Sequence, residues 1–245
     1  MSSAYGLPPA NRPVRHRSTR DRPAKAPLGE DVVVDAALEI LKSEGLEAVT
    51  MRRVAAALDT GPASLYVYVA GREGLLQAML DRVVATVELE PPEPDRWRAQ
   101  LHSLLVRLRR ALVDHRGIAA MTLADPPTSA AVLRLVENLL GILLAGGLDA
   151  QDAAWTCDIL VLLATAAARE DDVRRPRGAS DGDRQEQVGE LYRTFAGLPP
   201  EQFPLIVGHA AQMVAGDPDE RFRFAIDVVL DGVLYKSADR SFQLP

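Results

Sequence analysis

Side chains with phenol and guanidinium groups lie close together in one short part of the chain. The run 61–69 carries no charge and holds Tyr66 and Tyr68. Basic residues precede and follow this run: Arg52, Arg53 and Arg72. Guanidinium and phenol groups donate hydrogen bonds to phosphate, and aromatic rings pack along sugars or a thymine methyl group. The set is therefore suited to binding a nucleic acid rather than to making or breaking bonds.

Side chains that could carry catalysis or hold a metal are scattered. No motif pairs Cys157 or a serine nucleophile with any of the four histidines, His16, His102, His115 and His209. A single cysteine excludes an internal disulfide and provides no metal-ligand cluster. Gly146 and Gly147 follow a predicted helix rather than a strand, which argues against a phosphate-binding loop. The sequence predicts no catalytic residue, no metal site and no cofactor, so we do not expect an enzyme.

Short helices before residue 70 are predicted to position the phenol and guanidinium groups. The first begins near residue 33, has apolar residues at spacings of three and four, and ends at Gly45. The second, 51–58, follows Thr50, whose hydroxyl suits the N-cap position. A turn with a glycine, 59–61, separates it from the third helix. Two helices joined in this way form a helix-turn-helix motif.

The third helix begins at Pro62, a residue that suits a first helical turn, and is predicted to end near Val69. In a helix-turn-helix, the second helix lies in the major groove and its N-terminal side chains meet base edges. A helix of seven or eight residues is about 11 Å long, close to the ~12 Å width of the groove. Ala63 and Ser64 are small enough for close approach, and the two tyrosines can place their hydroxyls on phosphates.

The three arginines stand at helix starts. Arg52 and Arg53 fall in the first turn of the second helix, and Arg72 opens the helix after the third. A cation there opposes the positive end of the helix dipole, unless an anion such as phosphate is shared at the same place. A solvated surface is the alternative for each arginine alone. Three such cations around one uncharged helix favour the phosphate interpretation.

Residues 37–84 resemble the DNA-binding head of TetR-type transcriptional regulators. The matching runs include RRVAAAL at 52–58 and, above all, ASLYVYVAGREGLL at 63–76. By this resemblance, eight residues occupy positions that contact operator DNA in the family: Thr50, Arg52, Pro62, Ala63, Ser64, Tyr66, Tyr68 and Arg72. The resemblance also implies a homodimer that places two heads one helical turn apart on a pseudo-palindromic operator. The chain departs from the family at Tyr68, where histidine is common.

The remainder of the chain is also predicted to be helical. Helical periodicity covers about 95–115, 128–145, 151–169, 199–214 and 218–237. The charged residues 171–187, with Gly, Pro and Ser, are predicted to form a mobile loop. Since no period-two alternation is present, we expect an all-α protein with three parts. These are a basic arm (1–27), a helix-turn-helix head (28–86) and a larger helical-bundle body for ligand binding and dimerisation (87–245).

The C-terminal part resembles the regulatory domain of the tetracycline-repressor branch, through the runs 139–166 and 219–233. In that branch the two corresponding helices pair with their copies in a four-helix interface, so residues 155–168 and 222–234 would form a dimer surface. The residues themselves support this, because apolar side chains surround most of the helix at 222–235. A helix that is apolar on so many sides needs more than one packing partner.

An effector pocket between the helices of the body follows from the same resemblance, and ligand sites do favour such spaces. The candidate lining residues are His102, Leu105, Arg109, His115, Met121, Asn138, Trp155 and Phe203. For each of them ordinary core or surface is the competing interpretation. Asn138 is the best single candidate, because an amide among leucines and valines needs a hydrogen-bond partner if it is buried. With few fixed charges nearby, a hydrophobic or aromatic small molecule is the expected effector.

The net charge of −6 conceals an uneven distribution. Residues 1–27 hold six basic residues and one acidic residue, a net charge of +5, whereas the head, 28–86, holds five basic and nine acidic residues, a net charge of −4. The arm is either a solubilising leader or a cationic segment that reaches DNA. No run of about 18 apolar residues suggests a membrane span, and the N-terminus lacks a secretory signal, so a cytoplasmic protein is expected.

A ligand-responsive, dimeric DNA-binding repressor is the favoured interpretation. One alternative is a helical small-molecule binder or enzyme that no longer binds DNA, although the intact set of Tyr66, Tyr68 and Arg72 argues against it. Another is a regulator controlled by a protein partner, which a fully packed body would favour.

Deletion of residues 1–26 tests whether the arm reaches DNA. We expect weaker binding and a shallower dependence of log K on log salt, since each lost phosphate contact reduces the slope by about 0.9. Titrations of full-length and shortened protein at several salt concentrations measure both quantities. An unchanged affinity and slope would leave the arm as a solubilising leader.

Overall fold

The computed structural model describes residues 27–120, 129–174 and 181–243. These residues form helices and no strand, which confirms the predicted all-α class. The described helices are α1 (Glu30–Glu44), α2 (Met51–Ala57), α3 (Pro62–Leu65), α4 (Gly71–Ala85), α5 (Trp97–Asp114), α6 (Ala130–Ala145), α7 (Ala150–Arg174), α8 (Asp181–Ala196), α9 (Pro204–Gly208), α10 (Ala210–Val214) and α11 (Pro218–Gln243). Short 3-10 turns occur at Leu46–Ala48, Pro94–Arg96 and Ile118–Ala120. Residues 1–26 of the arm and the predicted pocket residue Met121 lie outside the described ranges.

The helices of the head pack around one apolar core. α1 packs on α2 and α4, and α2 packs on α3. α1 ends where Gly45 takes a positive φ of 97°, and the N–H of this glycine donates to the carbonyls of Ile40 and Leu41. Because a positive φ is strained for other residues, this glycine allows the chain to turn toward α2. Val54 and Leu65 then bring α2 and α3 into the core as fully buried side chains.

The third helix is shorter than its predicted end near Val69. Regular α-helix stops at Leu65, and the N–H of Tyr68 donates to the Leu65 carbonyl at 3.0 Å, a bond that closes a tighter 3-10-type turn. The N–H of Val69 donates to the same carbonyl at 3.1 Å. The compact turn therefore ends with Val69 buried, as the sequence predicts, although its backbone is not a continuous α-helix.

The body is built around α5. This helix packs on α6, α7 and α11, and α11 also packs on α7. α5 and α6 lie within two residues of their predicted bounds, whereas α7 and α11 are longer than predicted. None of the helices within the described ranges is long and apolar enough to cross a membrane.

Two predictions in the C-terminal half are wrong. Much of the predicted loop 171–187 is helical, because α7 continues to Arg174 and α8 begins at Asp181, with 175–180 outside the description. The charged residues at the end of α7 have partners on other elements, which a local pattern does not reveal. The predicted helix 199–214 consists of two short helices, α9 and α10. Pro204 disfavours helical backbone in the residue before it, and His209 interrupts the helix with φ −121° and ψ 16°.

The segment that joins α4 to α5 is held firmly against the body. The buried side chain of Gln100 accepts a hydrogen bond from the N–H of Glu93 and donates one to the carbonyl of Pro91, both at 2.8 Å. Asn138 Nδ2 donates to the carbonyl of Glu90 at 2.8 Å. Three residues of the linker, Glu90, Pro91 and Glu93, are therefore fixed to α5 and α6 by side-chain hydrogen bonds.

A row of side-chain pairs joins α5 to α11. Arg98 pairs with Asp231, His102 Nε2 lies 2.9 Å from Asp227 Oδ1, and Arg109 pairs with Asp219. Residue numbers rise along α5 while those of the partners fall along α11, so the two helices are antiparallel. The row fixes the register of α11 on α5.

Replacing Leu65 with alanine tests whether the head depends on the anchor of its shortest helix. The side chain is fully buried, so its removal leaves a cavity, and we expect the free energy of unfolding to fall by about 2–5 kcal/mol. Val67→Ala is the matched control, because Val67 is 79% exposed and its loss should cost less than about 0.5 kcal/mol. Urea unfolding measures both, and equal effects would contradict the anchoring role.

Candidate nucleic-acid interface

The exposed face of α3 and of the turn after it is small and uncharged. Pro62, Ala63 and Ser64 are exposed, while Leu65 points into the core. Tyr66 follows with 60% of its surface exposed, and Tyr68 is half-buried against the core. Leu65 thus holds the segment on the core, while its polar groups and the phenol of Tyr66 face solvent.

Thr50 and the start of α2 border this face. Thr50 Oγ1 accepts a hydrogen bond from the N–H of Arg53 at 3.2 Å and so caps α2, as predicted. The hydroxyl hydrogen is left to donate to another acceptor, because a threonine hydroxyl both donates and accepts. Arg52 is exposed, and its side chain forms no hydrogen bond or ion pair with any residue of the described ranges. It is the arginine best placed to meet a phosphate.

Arg53 has an intramolecular partner. Its Nε lies 3.1 Å from both carboxylate oxygens of Glu44, and its Nη2 also donates to that carboxylate. The hydrogen bond and charge of Glu44 raise the pKa of Arg53, and the hydrogen bond from Arg53 lowers the pKa of Glu44. Both side chains are exposed, so water and salt screen the pair and a phosphate could replace the carboxylate.

Arg72 ties the beginning of α4 to the segment before α2. Its Nε donates to the carbonyl of Val49 at 2.9 Å, and its Nη2 lies 3.4 Å from the carbonyl of Leu46. These carbonyls directly precede the cap of α2. Arg72 therefore positions the interface from within, and its remaining N–H groups are the part that could reach a phosphate.

The nine predicted DNA-binding residues lie on three adjoining elements. They occupy the start of α2, the segment 62–68 and the start of α4. α2 packs on α3, and a Cβ placed on Gly71 would lie 3.9 Å from Tyr66 Cε1. The arrangement is a helix-turn-helix with a short second helix, and it offers hydroxyls, guanidinium groups and small side chains on one surface.

Comparison with known proteins identifies the family. Residues 33–79 match the description of bacterial regulatory proteins of the tetR family, and residues 90–236 match the tetracyclin repressor-like C-terminal domain. The chain belongs to the TetR family. It is a DNA-binding transcriptional regulator of the tetracycline-repressor branch, and its relatives are named as transcriptional regulators, several of them repressors.

Relatives of this TetR-family chain match most of its length. The HTH-type transcriptional repressor DrrR1 of Streptomyces coeruleorubidus is 30% identical over 91% of this chain and 84% of its own. The class C tetracycline repressor protein of Escherichia coli is 25% identical over 84% of this chain and 90% of its own. The structure of ActR from Streptomyces coelicolor in complex with actinorhodin has a TM-score of 0.78 at 34% identity and covers 86% of this chain and 98% of that one.

The seven predicted effector-binding residues that the structure describes lie on several elements of this TetR-family regulator. His102 and Arg109 pair with residues of α11, and Leu105 is fully buried in the same helix, α5. His115 lies with Nδ1 2.8 Å from the carbonyl of Ala111 in its own helix. The hydrogen-bonding groups of these histidines and of Arg109 are thus largely occupied by the chain itself.

The remaining pocket candidates are spread over the body. Trp155 is 62% exposed on α7, on the predicted dimer surface rather than inside the bundle, and Phe203 is exposed before α9. Asn138 has the partner that its position requires, the carbonyl of Glu90, but its Oδ1 is buried with no hydrogen-bond partner among the described residues. Among the described members of the predicted set, Asn138 is the one with a buried side-chain oxygen left unpaired within those ranges.

Sequence reasoning missed a buried ionic cluster and a carboxylate that supports a turn. Arg109 bridges Asp171 and Asp219, and its guanidinium lies 5.3 Å from the centre of the Phe222 ring. Asp172 Oδ2 accepts a hydrogen bond from the N–H of Gly117 at 2.8 Å. Burial raises the pKa of Asp172, although the Gly117 hydrogen bond and nearby arginines oppose that shift. The adjacent Asp171 and Asp172, near the end of an apolar helix, were the sequence feature that could have indicated both interactions.

An open groove of about 560 Å³ lies at the junction of α10 and α11. It is lined by Gln212, Met213, Ala215, Glu220, Arg221 and Phe224. None of the seven predicted pocket residues within the described ranges borders it, so it provides no support for that set.

Arg52→Gln tests the interface one cation at a time. Because Arg52 is exposed and unpaired within the described ranges, we expect weaker binding to all sequences and a salt slope smaller by about 1. Lys42→Gln removes the same charge from the last turn of α1, away from the three interface elements, and should leave the slope nearly unchanged. Binding titrations over a range of salt concentrations compare the two variants. Similar slopes for both would remove Arg52 from the interface.

Proposed function

We propose that this TetR-family regulator is a homodimeric repressor that leaves a pseudo-palindromic operator when it binds a small hydrophobic or aromatic molecule. In this proposal residues 1–27 are a basic arm, 28–86 bind DNA, and 87–245 bind the effector and dimerise. The observation that carries it is the exposed, uncharged segment 62–66, anchored by buried Leu65 and bordered by Arg52.

Operator contact is supported by the size and chemistry of that segment. An α-helix of four residues is about 6 Å long, so it fits across a major groove about 12 Å wide. The small side chains of Ala63 and Ser64 let the backbone approach the base edges. Tyr66 stands beside them with its phenol exposed, within reach of the sugar-phosphate backbone. Arg52 and the Thr50 hydroxyl add phosphate contacts at the start of α2.

Dimerisation is supported by apolar stripes on α7 and α11. Trp155, Ile159 and Leu162 recur at spacings of four and three along α7, and all three are exposed. On α11, Phe224 is 70% exposed and Tyr235 76% exposed. The inner faces of these helices pack on each other and on α5, so the stripes have no cover within the described residues. Pairing with a second copy about a two-fold axis would bury both stripes.

Effector binding is supported by the body and by ligand complexes of a relative. ActR, which is 34% identical to this chain, has been solved with actinorhodin and with (S)-DNPA. In this chain Asn138, on body helix α6, has a buried Oδ1 without a partner among the described residues, and a ligand with a hydrogen-bond donor could satisfy it. The helices around Asn138 are rich in leucine, which suits an apolar or aromatic effector.

Release from DNA follows from a shift between two arrangements of the heads. A ligand that prefers the arrangement unsuited to the operator lowers DNA affinity by its difference in affinity for the two. α4 carries the change, because it packs on α1 in the head and on α5 and α6 in the body.

The double variant Tyr66→Ala/Tyr68→Ala tests the operator contact. We expect at least a tenfold loss of affinity, roughly the effect of removing one or two good contacts worth about 1–3 kcal/mol each. Fluorescence anisotropy at fixed salt compares the variant with wild type, first on DNA upstream of its own gene and then on duplexes selected from a random pool. Tyr192→Ala is the control, since it removes an exposed tyrosine from α8 in the body.

Tight, salt-sensitive binding by wild type and by the Tyr192 variant, lost in the double variant, supports the proposal. Equal binding by all three proteins would show that Tyr66 and Tyr68 do not contact the DNA. If the random pool also yields no specific duplex for wild type, the operator-binding proposal fails and the body should be assayed as a small-molecule binder.

A further inference from the structure

The N-terminus of α6 is capped by a residue of another helix. Asp81 Oδ1, on α4, accepts a hydrogen bond from the N–H of Ala131 at 2.8 Å. Ser129 occupies the N-cap position of α6, but its own hydroxyl makes no capping bond and is buried without a hydrogen-bond partner among the described residues. The first N–H groups of a helix lack partners within it and carry partial positive charge, so a carboxylate is well suited to them. Asp81, a residue of the head, thus provides the capping hydrogen-bond acceptor that Ser129 of α6 does not provide.

The next residue of α4 faces the head. Arg82 donates hydrogen bonds to Asp35, at 2.6 Å, and to Asp31, both on α1. Consecutive residues of one helix therefore bind in two directions, one to the body and one to the head. A displacement of the N-terminus of α6 is passed through Asp81 to α4, and through Arg82 to α1.

Among the described residues, head and body also meet through apolar contacts, which are less directional. Gly117, in the turn after α5, comes so close to the head that a Cβ there would lie 3.2 Å from Leu46 Cβ. α4 also packs on α5 and α6 through buried side chains such as Leu80 and Val84. Apolar contacts permit small sliding and rotation, whereas a hydrogen bond fixes the position of one atom against another. The bond from Ala131 to Asp81 is such a directional contact, and it sets the register of α4 on α6.

We propose that Asp81 is the positioning residue that holds the DNA-binding head in its operator-competent orientation on the body. This rests on the proposed function, in which a ligand alters that orientation. Asp81 touches neither DNA nor effector; it acts through the N-terminus of α6. Loss of the bond leaves the head in place but free to take several orientations, so part of the population must be reordered before DNA binds.

Four variants separate positioning from simple helix capping. Asp81→Ala removes the bond, and Asp81→Asn keeps an oxygen that can accept it. Asp81→Ala/Ser129→Asp gives α6 a carboxylate cap of its own, at the N-cap position, without restoring the tie to α4. Glu137→Ala removes the same charge from an exposed position on α6 and is the control.

Two readouts are measured on each full-length variant, together with the melting temperature. The first is affinity for a duplex selected by the wild-type protein. The second is the distribution of head-to-body distances between spin labels at Glu39→Cys on α1 and Ala99→Cys on α5, both exposed, with the labelled chain diluted into unlabelled protein. The native Cys157 is buried, and burial raises its pKa to about 11, so it resists labelling.

For Asp81→Ala we expect about tenfold weaker DNA binding and a broader distance distribution. Asp81→Asn and Glu137→Ala should resemble wild type. Adding Ser129→Asp should restore the melting temperature but neither the affinity nor the narrow distribution. The proposal is overturned if Asp81→Ala keeps the wild-type distances, or if Ser129→Asp restores them. If wild type selects no duplex, the proposed function fails, while the distances still decide the role of Asp81.

Discussion

The guanidinium group of Arg109 lies where three helices of the body meet, and the rest of the body is arranged around it. Arg109 extends from α5, is almost fully buried, and binds Asp171 on α7 and Asp219 on α11. Burial opposes ionisation of Asp219, but hydrogen bonds from Arg109 and Arg110 outweigh it and lower the pKa of this carboxyl. Breaking such a buried pair from one side leaves an uncompensated charge, which typically costs about 3–5 kcal/mol. Because the inner faces of α7 and α11 pack on α5 and on each other, Trp155 and Phe224 lie on the outer faces and are exposed.

The charged side chains of the head, unlike the buried Arg109 cluster, are largely exposed. The head is acidic overall, and several of its cations are engaged internally: Arg53 with Glu44, Arg82 with α1, and Arg72 with backbone carbonyls. The field that attracts DNA is therefore weak before contact, and local rearrangement contributes once a phosphate is near. Displacement of Glu44 by phosphate exchanges one charged partner of Arg53 for another, so it costs little electrostatic energy in an exposed position.

Much of this fold could be read from the chain, and the reasons for the failures are physical. The spacing of apolar residues predicted the ends of α5 and α6 to within two residues, and Thr50 caps α2 as predicted. Periodicity shows which side chains face inward but not which helix they face, so it could not show the partners of the predicted pocket residues. His102 and Arg109 pair with residues more than a hundred positions away. No local pattern could assign Asp81 to the N-terminus of α6 either, since the two lie 50 residues apart in the chain.

The fixed linker between α4 and α5 bears on which operators the protein would tolerate. Gln100 and Asn138 hold Glu90, Pro91 and Glu93 to the body, so that little slack remains between the end of α4 and the bundle. In a two-fold dimer the separation and relative rotation of the heads would be set by the body. One inserted base pair moves two half-sites apart by about 3.4 Å and turns them by about 35°. A head on a loose tether could follow that change, but a head on this linker would have to bend or twist the DNA instead. The protein would then discriminate between operators by half-site spacing as well as by base sequence. The residues responsible, Gln100 and Asn138, would not contact the operator.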